Sequence, residues 1–178
     1  DILVGTQMVR KGLDFDKVSL VAIFDADRMI HYPDFRAQER TFQLITQVAG
    51  RAGRREKKGK VIIQTGNVHQ PILRRIAAHD YESFYNAEIL EREKFSYPPF
   101  VRLIKISVKS EEKELSYKAA AYLAKLLIEK FGSKRILGPE APIIDKIRNL
   151  YLQDILIKLE RGKVNLNESK KIIRESAD

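Results

Sequence analysis

Hydrophobic positions fall along this chain in two rhythms, and the change between them divides it. In the first half they come as short unbroken runs: Ile2-Leu3-Val4, then residues 18–24, then residues 61–65. Such runs, closed by glycines or acids, predict strands buried on both faces, as in a parallel sheet flanked by helices. Between them, Pro33 and Asp34 predict a helix start with Asp34 as N-cap. Phe35, Thr41, Phe42, Leu44, Ile45 and Val48 carry a helical stripe from there to Ala49. Pro71 suits the first turn of another helix, ending near His79. Residues 81–95 predict one more, with Phe84, Tyr85, Ile89 and Leu90 as core positions. Ser96-Tyr97-Pro98-Pro99-Phe100 then breaks the pattern, because proline cannot continue a helix and biases its predecessor to extended geometry. A domain boundary is expected here, between residues 1–97 and 98–178.

Beyond the boundary the rhythm alternates. Val101, Leu103, Ile104, Ile106 and Val108 stand against Arg102, Lys105 and Ser107, the pattern of a half-buried strand. Residues 111–131 predict a helix with Leu115, Ala119, Tyr122, Leu123, Leu126 and Leu127 on one side and Gly132 at its end. Gly138-Pro139 and Ala141-Pro142 predict a turn. Residues 143–147 and 151–159 predict a hairpin across Arg148-Asn149, and Asn167 a cap for a last helix through Ile172 and Ile173. The order β-α-β-β-α describes a small α+β sandwich, one strand short of a ferredoxin-like unit. The expected class is therefore α/β, with that small α+β domain following.

Composition narrows the partners. The 178 residues carry a net charge of +9 and a pI near 9.7, which favours an anionic partner. Residues 100–178 hold +6 of it and the first 99 residues +3. Nucleic acid fits better than membrane, because no helix pairs one basic face with one bulky apolar face. No apolar run nears the ~20 residues of a membrane span. The chain has no cysteine, which excludes disulfides, thiolate zinc sites and cysteine nucleophiles and fits a cytoplasmic protein. Opening on a strand with no signal peptide is what a fragment would show.

The densest chemistry lies in Gln47-Val48-Ala49-Gly50-Arg51-Ala52-Gly53-Arg54. Arg51 and Arg54 are three apart, hence on one face if helical. The guanidinium is always charged and its planar fork matches phosphate oxygens, while glycine lets a backbone approach a ligand. A solvated arginine-rich helix end is the plain alternative. Asp25 and Asp27 follow an apolar strand, where a magnesium-binding acid of an ATPase could stand. The phosphate loop G-x-x-x-x-G-K-[ST] that would accompany it is absent, so loop-shaping or arginine pairing is preferred. No metal site is expected in this chain.

Several segments together resemble one family. Leu3-Val4-Gly5-Thr6-Gln7-Met8 with Lys11-Gly12-Leu13-Asp14-Phe15 is similar to motif V of superfamily 2 helicases, and the Gln47 to Arg54 stretch to their motif VI. Asp25-Ala26-Asp27, Pro33-Asp34-Phe35-Arg36-Ala37, Glu39-Arg40-Thr41-Phe42-Gln43, Tyr97-Pro98-Pro99-Phe100 with Arg102-Leu103, and Gly138-Pro139-Glu140-Ala141-Pro142 leading to Arg148 and Tyr151 narrow the likeness. Their combination resembles the PriA family of replication-restart helicases (primosomal protein N′), over nearly the whole chain.

That resemblance implies the end of a second RecA-like lobe, followed by a C-terminal domain, in an ATP-dependent 3′→5′ helicase of replication restart and primosome assembly acting at forked DNA. It implies that Arg51 and Arg54 reach the γ-phosphate, Arg54 as arginine finger, with Gln47 coupling nucleotide to the cleft. Gly12, Asp14 and Gly50 would approach the nucleotide, and Thr6 and Gln7 the single strand. Lys105, Lys146 and Arg148, with Lys134 and Arg135, are candidate DNA contacts. ATP and Mg²⁺ would be held mainly by a first lobe not found in this sequence. The family's cysteine-rich zinc segment and last C-terminal strand are not found either. This chain alone is therefore expected not to hydrolyse ATP. Other primosome proteins and single-strand-binding protein are the implied partners. A stand-alone nucleic-acid-binding module and a fragment of a related DNA-repair translocase remain alternatives, and the Tyr97 to Phe100 boundary with its following domain weighs against the translocase.

Overall fold

A computed structural model describes residues 2, 4–5, 18–50, 52 and 59–177. The chain divides into two compact units, Asp1–Leu90 and Glu91–Asp178. In the first, β1 (Leu20–Ile23) and β2 (Lys60–Ile63) pair in parallel, with Leu20 opposite Lys60 and Ile23 opposite Ile63. Helices follow these strands: α1 (Ala26–Ile30), α2 (Ala37–Ala49), α3 (Pro71–Ala77) and α4 (Tyr81–Lys94), whose residues from Glu91 onward belong to the second unit. Ile30, Phe42, Ile45, Ile72, Ile76 and Phe84 form the core of this unit. The Phe42 and Phe84 rings stack at 4.4 Å between centroids.

The strands are not buried on both faces as expected. Each alternates exposed and half-buried positions, and Leu20 and Ile62 remain largely accessible. Among the described residues this sheet has only two strands, so it has little surface to cover a second face. Ile2 and Val4, read as part of a further buried strand, lie in no strand and are exposed. An apolar run becomes a buried strand only where a neighbour supplies its hydrogen bonds. Leu3, between them, lies outside the described residues.

Helix starts are set by side chains reaching back to free amides. Asp25, at φ 53°, accepts from the Arg28 amide at 3.3 Å and opens α1, which the sequence reading did not foresee. Asp34 does not cap α2 directly. Its carboxylate accepts from the Arg36 amide at 2.8 Å, one turn before the helix begins at Ala37. Pro71 opens α3 as expected, since its missing N–H costs nothing at that position. Asp80 accepts from the Ser83 amide at 3.0 Å and caps α4. Of the core positions expected on α4, Phe84 is buried, whereas Tyr85 and Leu90 are exposed.

The second unit is built on one long strand. β6 (Leu150–Glu160) pairs antiparallel with β3 (Val101–Ser110) from Val101 opposite Glu160 to Ser110 opposite Tyr151. On its other side it takes β4 (Ile136–Glu140), and near its start β5 (Lys146–Ile147). The helix α5 (Lys113–Phe131) packs on Ile155, Ile157 and Leu159, and Ile172 and Ile173 of α6 (Leu166–Ala177) close the same core. Three details depart from expectation. The Gly138-Pro139 turn is instead part of β4, whose register shifts between Leu137 and Glu140. The hairpin across Arg148-Asn149 forms, with both residues at positive φ as a two-residue turn requires, but Ile143 and Ile144 stay outside it and exposed. The α6 cap is Asn165, whose side chain accepts from the Asn167 amide at 3.0 Å, and not Asn167.

The buried line of α5 keeps Leu123 and Leu127 of the predicted stripe but is otherwise offset from it. Ser116, Ala120, Leu123, Ala124, Leu127 and Phe131 face the sheet, while Leu115, Ala119 and Tyr122 face outward. Small residues let the helix approach the sheet closely, and a reading that rewards size passes over them.

Candidate functional site

The expected nucleotide-facing residues fall unevenly on the structure. Arg51, Arg54, Thr6, Gln7, Gly12 and Asp14 lie outside the described residues. Gln47 and Gly50 are described, and both are exposed at the C-terminal end of α2. The Gly50 amide donates to the Thr46 carbonyl at 3.0 Å and closes the helix. Its φ of −65° is one any residue adopts. Among the described residues, a Cβ there would meet only the Thr46 carbonyl at 3.5 Å and the Gln47 carbonyl at 3.8 Å, ordinary contact distances. Nothing among the described residues requires glycine at this position. What glycine adds is an uncovered backbone beside an exposed amide side chain, and that suits close approach of a ligand.

Asp25 and Asp27 shape loops. Asp27 Oδ1 accepts from Thr65 Oγ1 at 2.9 Å and from Gln70 Nε2 at 2.8 Å, and Oδ2 accepts from the Gly66 amide at 2.7 Å. These partners follow the C-terminal end of β2, so one carboxylate ties α1 to the β2 exit and to the start of α3. The Gly66 amide first, and Thr65 next, hold its carboxyl below the usual carboxylate range. Sequence reasoning allowed the loop-shaping role but could not find its partners, which lie about 40 positions away.

The candidate DNA contacts of the second unit do not form one patch. Lys105 stands opposite Leu156 and Lys146 opposite Tyr151. Leu156 and Tyr151 are an odd number of residues apart on one regular strand, so the two lysines belong to opposite faces of the sheet. Lys105 Nζ pairs with Asp154 Oδ2 at 2.9 Å, and Asp154 Oδ1 takes the Ser107 hydroxyl. Lys146 Nζ lies 4.6 Å above the Tyr151 ring, a cation–π distance. Arg148 occupies the exposed hairpin tip beside it and makes no ion pair among the described residues. Arg135 is held inward: Nε donates to Glu160 at 2.8 Å and Nη1 to the Phe131 carbonyl at 2.9 Å. That hydrogen bond is the main reason the Glu160 carboxyl titrates below its ordinary range.

A second group of cations was missed. Arg102 and Lys163 line an open cleft with the 164–167 segment, and Lys170, Lys171 and Arg174 line its neighbour along α6. The only sequence signal was the Lys170-Lys171 pair, since Arg102 on β3 and Lys163 beyond the end of β6 meet only in the folded unit. No helix among the described residues is long and apolar enough to cross a membrane.

Two family models match in tandem. Residues 1–56 match the helicase conserved C-terminal domain, and residues 93–177 the primosomal protein N C-terminal domain. Relatives named replication restart protein PriA are similar along most of the chain. The protein of Bacillus subtilis (strain 168) is 45% identical over 162 residues, which are 90% of this chain and 20% of that protein. The one from Treponema pallidum (strain Nichols) is 44% identical over 161 residues, 89% of this chain and 24% of that protein. The one from Thermotoga maritima is 36% identical over 174 residues, 98% of this chain and 23% of that protein. The chain thus spans about a fifth of the length of the curated relatives it matches. In sequence, this chain matches the C-terminal region of the PriA replication restart proteins, from the end of a helicase domain through the primosomal C-terminal domain.

Proposed function

We propose that this chain is part of an ATP-dependent 3′→5′ DNA helicase of replication restart, and that it supplies the arginine-bearing half of the ATP site. The carrying observation is the tandem order of the two family matches, helicase then primosomal domain, within one chain that also bears Gln47 to Arg54. In this reading residues 1–97 are the end of a second RecA-like lobe, and residues 98–178 a DNA-contacting domain. ATP, with Mg²⁺ on its phosphates, supplies the phosphoryl group transferred to water. Arg51 and Arg54 neutralise the charge that develops on it, Arg54 as the finger, an effect worth roughly 10³–10⁵ in rate. Gln47 and Gly50 fit the edge of such a site, being exposed at the helix end with the backbone uncovered. Gly12 and Asp14 approach the nucleotide, and Thr6 and Gln7 the tracked strand.

The second unit contacts forked DNA through Lys146 and Arg148 at the hairpin tip, and through Lys105 on the opposite face. The basic excess of the C-terminal part supports this, because phosphate neutralisation draws on such charge. Primosome proteins and single-strand-binding protein are the partners in the same reading, zinc is a cofactor of the longer protein outside this chain, and the setting is cytoplasmic. The test is ATP hydrolysis by the longer protein with and without forked DNA. DNA-stimulated turnover and strand displacement support the assignment. DNA binding with no ATPase favours a stand-alone binding module.

A further inference from the structure

Lys158 sits between Ile157 and Leu159, which are buried against α5, so its side chain leaves the other face of the sheet. There its Nζ donates to the Phe95 carbonyl at 2.7 Å and lies 4.1 Å from the centre of the Tyr97 ring. Phe95 immediately follows the last residue of α4, where helix carbonyls lack intrahelical donors and carry the negative end of the helix dipole. The ring face offers the same ammonium a second negative surface. Three residues along β6 and its turn, the Arg161 amide donates to the Phe100 carbonyl at 3.3 Å. The segment around Pro98-Pro99 is therefore tied to β6 at both its ends. Burial pushes the Lys158 ammonium below its ordinary range, the cost of holding a cation there.

We propose that Lys158 is a latch, fastening the α4 exit and the 95–100 segment to the C-terminal sheet so that they move with it as one body. This goes beyond the proposed function, since it needs neither ATP nor DNA. A methionine at this position keeps the stem and removes the charge. An arginine keeps the cation and can still face Tyr97.

Amide hydrogen exchange on the folded chain tests it. In Lys158→Met, exchange at Ser96, Tyr97, Phe100 and Arg161 is expected to rise roughly tenfold or more, the loss of a charge-assisted bond, while Ile155 and Ile157 stay within about twofold of the parent. Lys158→Arg should return the first group most of the way. Tyr97→Leu, a milder change, should raise the same amides less. Unchanged exchange over 96–100 in Lys158→Met would overturn the latch. So would an equal rise through β3 and β6, which would mark a general loss of stability.

Discussion

The Gly66 amide donates to Asp27 Oδ2 at 2.7 Å, across 39 residues of sequence. This bond, with those from Thr65 and Gln70, fixes the loop leaving β2. Because the folded carboxyl titrates below its ordinary value of 3.8, its contribution is fully present above that pH and is lost as pH falls through the lowered folded value. Asp27→Asn should therefore lower the urea midpoint of the first unit at pH 7. The difference from the parent should shrink below about pH 3.8. Denaturation curves from pH 7 to pH 2 measure both.

Gly138 tests the strand that the sequence hid. At φ +97° it bends β4 past β6, and an added Cβ would lie 2.6 Å from the Asp154 carbonyl oxygen. Gly132 also has positive φ, at +86°, but nothing lies within 4 Å of its missing Cβ. Gly132→Ala should cost about 1–3 kcal/mol of backbone strain, and Gly138→Ala distinctly more, because backbone must also shift. Chemical denaturation of the two variants gives the comparison.

The α5 face supplies a third contrast. Leu127 is fully buried and Leu115 is 53% exposed. Leu127→Ala should cost about 2–5 kcal/mol and Leu115→Ala about 0.5 or less. Equal losses would return the helix to the stripe read from sequence.

These cases show what the sequence carried. Periodicity located the β3 strand and nearly every helix, because burial of one face is a local pattern. It placed the Arg148-Asn149 hairpin without a glycine to mark it. It failed where long-range pairing decides. β4 continues through Gly138-Pro139 because β6 lies beside it, and Asp27 finds its partners on a distant loop. Ser116, Ala120 and Ala124 are core because α5 lies close to the sheet, which no single residue announces. For the candidate site, residue type raised Gln47 and Gly50 as expectations but could not say which cations share a face.

For DNA contacts the two faces of the sheet make a test. Removing a phosphate-contacting cation should reduce the slope of log affinity against log salt by about 0.9 for duplex DNA. Lys146→Ala and Arg148→Ala should each approach that change in forked-DNA titrations at varied salt. Lys105→Ala should fall short of it, since Asp154 already holds that ammonium. Parental slopes for Lys146→Ala and Arg148→Ala would count against contact through the hairpin tip.

The most direct measurement of the central claim is single-turnover ATP hydrolysis by the longer protein carrying Arg54→Ala, beside Arg51→Ala and this chain alone. The arginine-half account predicts that nucleotide still binds, that DNA-stimulated cleavage by Arg54→Ala falls by roughly 10³ or more, that Arg51→Ala is also impaired, and that this chain alone is inactive. Parental cleavage by both arginine variants, or DNA-stimulated ATPase from this chain alone, would contradict it.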